Sequence, residues 1–342
     1  MNKHRFNYKW YLKDGYPQTN NLKVFGTFIC GGGSTMGYKL AGFDHLGGVE
    51  IDPEVADVYK TNHSPKYLFV EDIRDFANRS EFPEDLYNLD ILDGSPPCSS
   101  FSMAGNREKD WGKEKVFREG QALQRLDDLF FDYIKLAKKL QPKVVIAENV
   151  KGLIQGNAKT YVHRIKKEFE AAGYNVQLFL LNAASMGVPQ KRERVFFICQ
   201  RNDLKYPKLN LNFNETIIPF GQIVENIEYN DLTKNENYLW SNRIFGDSDF
   251  GVINVRLGNK QNSFTTKLLY KDKVPNTITA GDNSILFDVP RKTTKNEVCQ
   301  IGSYPLDYNF KKIEPKYLIG MSVPPIMTAQ IATEIYKQWF LI

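Results

Sequence analysis

Four groups of residues in this sequence are of the right type and spacing to do chemistry. The first is Cys98, at the end of Asp90-Ile91-Leu92-Asp93-Gly94-Ser95-Pro96-Pro97-Cys98. Two prolines fix the backbone before it, so the sulfur is aimed. A free thiol with a pKa of about 8.5 is a few per cent thiolate at pH 7, enough for a nucleophile once neighbours help. A buried structural cysteine after a turn is the competing reading. The second is Glu148, in the apolar run Lys143 to Val150. A carboxylate there is expensive to bury unless it is paired or protonated. The third is Gln190-Lys191-Arg192-Glu193-Arg194. In extended chain Arg192 and Arg194 point the same way, and fixed guanidiniums suit oxygen acceptors and phosphates. An exposed charged edge would read alike. The fourth is the turn Gly31-Gly32-Gly33-Ser34, which lets backbone approach a ligand at a helix N-terminus. The dinucleotide pattern is not met, because Met36 stands where the third glycine belongs and Gly37 comes one residue late. Glu50 lies about 20 positions past the turn, where this architecture grips ribose hydroxyls. Asp72, after the third strand, meets an adenine amino group or caps a turn.

The elements that must position these groups alternate. Strands are expected over 23–30, 46–51, 67–70, 143–150, 174–181 and 195–199, with another ending at Ile91-Leu92. Helices are expected over 35–40, 53–62, 121–140 and 158–172. In the 121–140 segment, Leu123, Leu126, Leu129, Phe130, Tyr133, Ile134, Ala137 and Leu140 fall on one face. This is an α/β, Rossmann-like fold, in which ligands sit at the carboxyl edge of the sheet. The segment from Ala104 to Gly120 is polar and charged, and reads as a mobile lid or a solvated loop. Near residue 200 the style changes to Asn, Lys and Asp with short apolar runs, such as Leu239-Trp240 and Val252-Ile253. That marks a smaller, β- and loop-rich domain. The expected division is an N-terminal arm at 1–20, a main domain at 21–200 and 313–342, and a second domain at 201–312. The helix after Gly320 returns to the main domain, and the sequence leaves open whether residues 1–20 are a docked helix or a loose arm.

The chain has 342 residues, a net charge of +5 and 25% charged residues. The charge permits a polyanionic partner without demanding one. The start lacks the apolar core of a signal peptide, and no run approaches the roughly 20 apolar residues of a membrane helix. Cys30, Cys98, Cys199 and Cys299 form neither a disulfide framework nor a zinc pattern. The four histidines show no ligand spacing. A reduced, cytoplasmic setting without a membrane is the simplest reading, and a monomer is expected.

Taken in order, these stretches resemble the DNA cytosine-5 methyltransferases. Phe28 with the glycine turn is similar to the family's first motif. Pro96-Pro97-Cys98, Glu148-Asn149-Val150 and Gln190-x-Arg192-x-Arg194 match the central ones. Arg291 to Glu297 with Tyr304-Pro305, and Gly320-x-x-Val323-Pro324-Pro325, match the closing pair. The match covers about 23–199 and 275–340, and the block 201–274 falls where the family varies, in its target-recognition region. There are departures. Ile29-Cys30 stands where Ala-Gly is usual, Met321 replaces an asparagine, Thr293 replaces a leucine, and Gly302-Ser303-Tyr304-Pro305 replaces Gln-Gly-Phe-Pro.

The resemblance implies that S-adenosylmethionine donates a methyl group to carbon-5 of a cytosine flipped out of duplex DNA. Cys98 would add to carbon-6, turning a poor nucleophile into an enamine. Glu148 would protonate ring nitrogen-3, and Asn149 would orient the strand end. Arg194 would hold the base's carbonyl oxygen and Arg192 a flanking phosphate, or the reverse. Phe28, Gly31, Gly32, Gly33, Glu50, Asp72, Ile73, Pro97 and Val323 would line the cofactor site. A cognate restriction endonuclease is the implied partner, and no metal is required. The rivals are methylation of cytosine in transfer RNA, a DNA-binding relative without catalysis, and a nicotinamide oxidoreductase. The third lacks a hydride-transfer site.

Overall fold

The computed structural model describes residues 4–97, 128–155, 159–260 and 262–341, with the backbone of 114–115 and 124–125. Contacts divide the chain into two units. The larger is Tyr16–Asn182, Glu193–Asn212 and Met327–Ile342; the smaller is Met1–Gly15, Ala183–Arg192 and Phe213–Ile326.

The larger unit is built on strands β1 (Lys23–Thr27), β2 (Asp44–Glu50), β3 (Tyr67–Val70) and β4 (Ile91–Gly94). Helices α1 (Gly33–Leu40), α2 (Pro53–His63) and α3 (Ile73–Asn78) connect the first three strands and follow the third. A short antiparallel pair comes next, β5 (Glu114–Lys115) with β6 (Gln124–Arg125). Then follow α4 (Leu129–Leu140), β7 (Val144–Val150), α5 (Lys159–Ala171), β8 (Tyr174–Asn182) and β9 (Glu193–Arg201). Seven strands form one sheet in the order β3-β2-β1-β4-β7-β9-β8. The pairings from β3 to β7 are parallel, and β9 runs antiparallel to both neighbours. The order reverses at β1 and β4, and ligands of doubly wound sheets bind beside such a reversal.

Local chemistry explains the ends of these elements. β1 stops at Thr27, short of the expected Cys30, because Phe28 and Cys30 take φ of +54° and +47°. That left-handed region turns the chain out of the sheet. Gly32, at φ +77°, caps α1. Asp52 caps α2, its Oδ1 accepting from the Glu54 amide at 2.9 Å, with Pro53 in the first turn. The expected helix 121–140 begins only at Leu129, since Gln124–Arg125 pair as a strand with Glu114–Lys115. Periodicity there reports apolar spacing without deciding the backbone. Between β4 and α4, the Tyr133 hydroxyl lies 2.9 Å from Leu92 O and 2.8 Å from Ile146 O, tying the helix to two central strands. Phe25, Phe76, Phe130, Phe169 and Phe197 fill the core on that face.

The smaller unit holds α6 (Lys234–Ser241), α7 (Phe250–Arg256), α8 (Lys295–Ile301) and α9 (Pro315–Met321), with the parallel strand pair β10 (Leu268–Leu269) and β11 (Ile285–Leu286). Leu239-Trp240 and Val252-Ile253 therefore lie in helices. Thr233 and Thr294 open α6 and α8 with reciprocal bonds to Glu236 and Glu297. The N-terminal stretch is docked in this unit: Trp10 is 8% exposed, and its Nε1 donates to Ser303 O at 2.9 Å. The chain then passes through α10 (Pro325–Ile335) into the larger unit.

Arg291 and Glu297 form a fully buried ion pair in the smaller unit. Both side chains are 0% exposed, and the guanidinium meets both carboxylate oxygens at 2.7 and 2.9 Å. Arg291 also donates to Ile227 O and Glu225 O, and Glu297 accepts from the Glu225 amide. Removing one partner strands a buried charge, so Glu297→Ala should cost about 3–5 kcal/mol. Urea unfolding measures this, and a loss under about 1 kcal/mol would put the pair's weight at that of a surface bridge.

Candidate active site

The carboxyl edge of the sheet in the larger unit gathers most of the groups expected to do chemistry. Glu148 is the fifth residue of β7, and Arg194 the second of β9. Antiparallel register sets Val150 opposite Arg194 and Glu148 opposite Phe196. Arg194 is thus a diagonal neighbour of Glu148 on the same face, and its Nε sits 2.9 Å from Glu148 Oε1. Both side chains are largely buried, at 14% and 12% exposure. Burial pulls the Arg194 guanidinium below its ordinary value, and the Glu148 charge opposes that. The carboxylate that the sequence made costly to bury is answered by a cation.

Asn149, 3% exposed, faces the other way and joins this strand end to the next. Its Nδ2 donates to Pro96 O at 3.1 Å, and its Oδ1 accepts from the Val150 amide at 2.9 Å. The Pro96-Pro97 run is therefore held beside Glu148's strand. Cys98 follows Pro97 in sequence and lies outside the described residues.

At the other side of the reversal, Gly31, Gly32 and Gly33 are buried between β1 and the start of α1. Phe28 is half-buried against the core. Glu50, 9% exposed, ends β2 with Oε2 accepting from the Cys30 amide at 2.9 Å and Oε1 from the Asp52 amide at 3.0 Å. Burial raises its carboxyl above the ordinary value, partly offset by these amides. Each oxygen keeps a further lone pair for a ligand hydroxyl. Asp72 caps α3, accepting from the Arg74 amide at 2.8 Å and its guanidinium at 3.0 Å. The turn-capping alternative is thus realised there. The Ile73 side chain is buried in the core at 4% exposure. A carboxylate aimed back at a glycine turn, at the carboxyl ends of β1 and β2, fits a nucleoside-bearing cofactor.

Two expected site residues belong to the smaller unit. Arg192 precedes β9, so the alternation that aligned it with Arg194 does not apply. Its guanidinium is 2% exposed and donates to Ile278 O at 3.0 Å, Gly320 O at 2.9 Å and Ser322 O at 2.8 Å. Those bonds brace backbone, and a phosphate is not what this guanidinium meets. Gln190 does similar work on Ile301 O and the Ile278 amide. Val323, 4% exposed, sits between α9 and α10.

Asp93 and Ile51 lie at this edge outside the motifs. Ile51 stays 37% exposed immediately after Glu50, an apolar side chain left open at the sheet's edge. Asp93 lies within β4, 7% exposed, and accepts from the Tyr38 hydroxyl at 3.0 Å. An acidic residue at a strand position reading Ile-Leu-Asp-Gly was the available signal.

A parallel sheet reversing beside a glycine turn, with an acid–guanidinium pair at its carboxyl edge, defines a doubly wound nucleotide-type enzyme domain. The sequence profile of the C-5 cytosine-specific DNA methylases matches residues 22–337, and the chain belongs to that family. Its members use S-adenosylmethionine as methyl donor. The Type II methyltransferase M.NgoPII of Neisseria gonorrhoeae is 29% identical to it, over 95% of this chain and 99% of that one. The Type II methyltransferase M1.HphI of Haemophilus parahaemolyticus is 27% identical, over 96% and 90%. Among solved structures, a putative DNA modification methyltransferase encoded within an E. coli prophage superposes with a TM-score of 0.66 at 20% identity, covering 93% of this chain and 99% of that one. A Spodoptera frugiperda DNMT2 mutant gives 0.63 at 20%, covering 94% and 100%. These two likenesses concern the fold.

Burial pushes the Asp93 carboxyl up to about 7, opposed by Tyr38 and Ser34 and reinforced by Glu148. An unfolded aspartate titrates near 3.9, about three units lower. Between those values the folded chain binds the extra proton, so this contribution is complete below pH ~4 and is lost as pH rises through ~7. Asp93→Asn keeps an acceptor for Tyr38 and cannot ionise. Its urea midpoint should gain on wild type at pH 8 relative to pH 5; an equal difference at both would remove the buried titration.

Proposed function

We propose that this chain methylates carbon-5 of a cytosine flipped out of a specific duplex DNA site, as the protective half of a restriction–modification system. The observation that carries the reading is the Asn149–Pro96 bond. It ties Pro96, two residues before Cys98 in sequence, to Asn149, the residue after Glu148, in a chain of this family.

The steps follow from the residues. Carbon-6 is inaccessible within a stacked duplex, so the target base leaves the helix at a cost of a few kcal/mol. The Cys98 thiolate adds to carbon-6 while Glu148, which must first take up a proton in place of its charge pairing with Arg194, delivers that proton to ring nitrogen-3. Arg194 orients Glu148 and lies within reach of the base's carbonyl oxygen. S-adenosylmethionine, when bound, supplies the methyl group. Glu50 would accept from its ribose, the glycine turn and Phe28 would enclose it, and Ile51 offers an apolar wall. Loss of the carbon-5 proton to solvent re-forms the double bond as the Cys98 thiolate departs, and nitrogen-3 returns its proton to Glu148. Pro97 remains in the proposed cofactor wall, Asp72 and Ile73 would serve it from the start of α3, and Val323, expected there too, belongs to the smaller unit. No step needs Arg192 at a phosphate.

The proposed target-recognition domain is the block 201–312, of which 213–312 falls in the smaller unit, while 201–212 falls in the larger unit and 313–326, expected in the main domain, in the smaller. Its turn 244–248 presents Ile244 and Phe245, 56% and 74% exposed, on a braced backbone. The Tyr270 hydroxyl accepts from the Gly246 amide and donates to Asp247 O, and the Asp247 carboxylate pairs with Arg256. Lys273 stands 5.6 Å from the Phe245 ring. Aromatic and cationic side chains together suit DNA. A cognate nuclease acting on the same site is the proposed partner, a reading supported by the Type II names of the relatives.

Cys98→Ala should abolish transfer of labelled methyl from S-adenosylmethionine to unmethylated plasmid DNA while leaving DNA binding by gel shift intact. Turnover by that variant, or labelling of transfer RNA in preference to plasmid by wild type, would overturn the reading. Bisulfite sequencing of DNA from expressing cells then reads the site.

A further inference from the structure

The wall behind the glycine turn contains a histidine that the reaction does not use. His63 is the last residue of α2 and is 6% exposed. Its Nε2 lies 3.2 Å from Gly31 O. The peptide joining Gly31 to Gly32 is held at its other end too, since the Gly32 amide donates to Ile29 O at 2.8 Å. The imidazole also occupies the space beneath Gly32. A Cβ built there would lie 2.3 Å from His63 Nε2 and 3.0 Å from the Tyr59 ring. The Tyr59 ring packs against His63 with centroids 4.6 Å apart and planes tilted by 51°, and its hydroxyl meets Thr35 Oγ1 at 3.0 Å, inside the first turn of α1.

We propose that His63 is a positioning residue for the methyl donor: by holding the Gly31 carbonyl it fixes the turn on which S-adenosylmethionine rests. The inference depends on the reading of that turn as the cofactor site, and concerns affinity for the donor rather than the chemistry. A carbonyl accepts, so the Nε2 must carry the proton and donate. The surroundings keep the ring neutral. Burial and the Lys39 ammonium hold the imidazole down at about 3, while Gly31 O works the other way. His45, the other histidine near α1, is held well below its ordinary value by the same causes and by His63. Tyr59, on α2, is likewise kept protonated by burial. The brace therefore does not titrate between pH 6 and 9, and its contribution to donor binding is flat over that range.

Phenylalanine preserves the ring and its contacts with Tyr59 but removes the donor. Glutamine places an amide N–H near the original Nε2. Binding of S-adenosylhomocysteine by calorimetry and steady-state methylation of unmethylated plasmid separate the two. For His63→Phe the expected result is at least a tenfold rise in Kd and in KM for S-adenosylmethionine. Its kcat at saturating donor and KM for DNA should stay within twofold of wild type. His63→Gln should stay within threefold throughout. Should the phenylalanine variant not fold, His63→Asn, whose amide falls short of Gly31 O, takes its place. Unchanged donor binding in the donor-less variant, or equal losses in it and His63→Gln, overturns the inference. Glu50→Gln tests the underlying reading separately. If it binds S-adenosylhomocysteine as wild type does, the cofactor site is misplaced and this inference falls with it.

Discussion

The ion pair between Glu148 and Arg194 is the constraint from which the site is built. A carboxylate at the carboxyl end of a central strand is out of water, and a close cation or a proton makes that tolerable. A parallel neighbour would bring residues from its own carboxyl end to that edge. An antiparallel one brings its first residues, and β9 does so with Arg194 at its second position. The reversal of strand direction between β7 and β9 is thus what lets two distant stretches of chain share one buried charge pair.

The other half of the edge rests on backbone geometry. β1 ends where Phe28 and Cys30 turn left-handed, and the chain between them and α1 is glycine. Glu50 grips that turn through the Cys30 amide, so the carboxylate expected to meet a ribose also fixes the loop beside it. Asn149 performs the matching task on the β4 side through Pro96 O. The edge is organised by side chains that each bond to the backbone of another strand's exit. That is preorganisation of the kind covalent catalysis requires.

Much of this was legible in the residues because parallel strands are short, apolar and punctuated. β3 and the starts of α2 and β8 fall where the pattern puts them, and the ordered motifs carried the family. Three features were hidden for physical reasons. The apolar spacing of 121–140 is helical, yet Gln124–Arg125 pair as a strand, because spacing alone does not choose the backbone. Arg192 looks like Arg194 in sequence, but the strand begins between them, and a guanidinium can serve three carbonyls as readily as a phosphate. The short helices of the smaller unit are too brief for periodicity to speak. Their capping pairs, Thr233 with Glu236 and Thr294 with Glu297, were the readable signal.

The account's central claim is that a sulfur at position 98 bonds to carbon-6 of the extruded cytosine before methyl transfer completes. A duplex carrying 5-fluorocytosine at the methylated position tests it, because fluorine cannot leave carbon-5 as a proton does and the adduct cannot resolve. With S-adenosylmethionine present, wild type should give a protein–DNA band that survives denaturing electrophoresis, and Cys98→Ala should give none. A duplex that wild type binds without forming that band, or a band that persists in Cys98→Ala, would contradict the account.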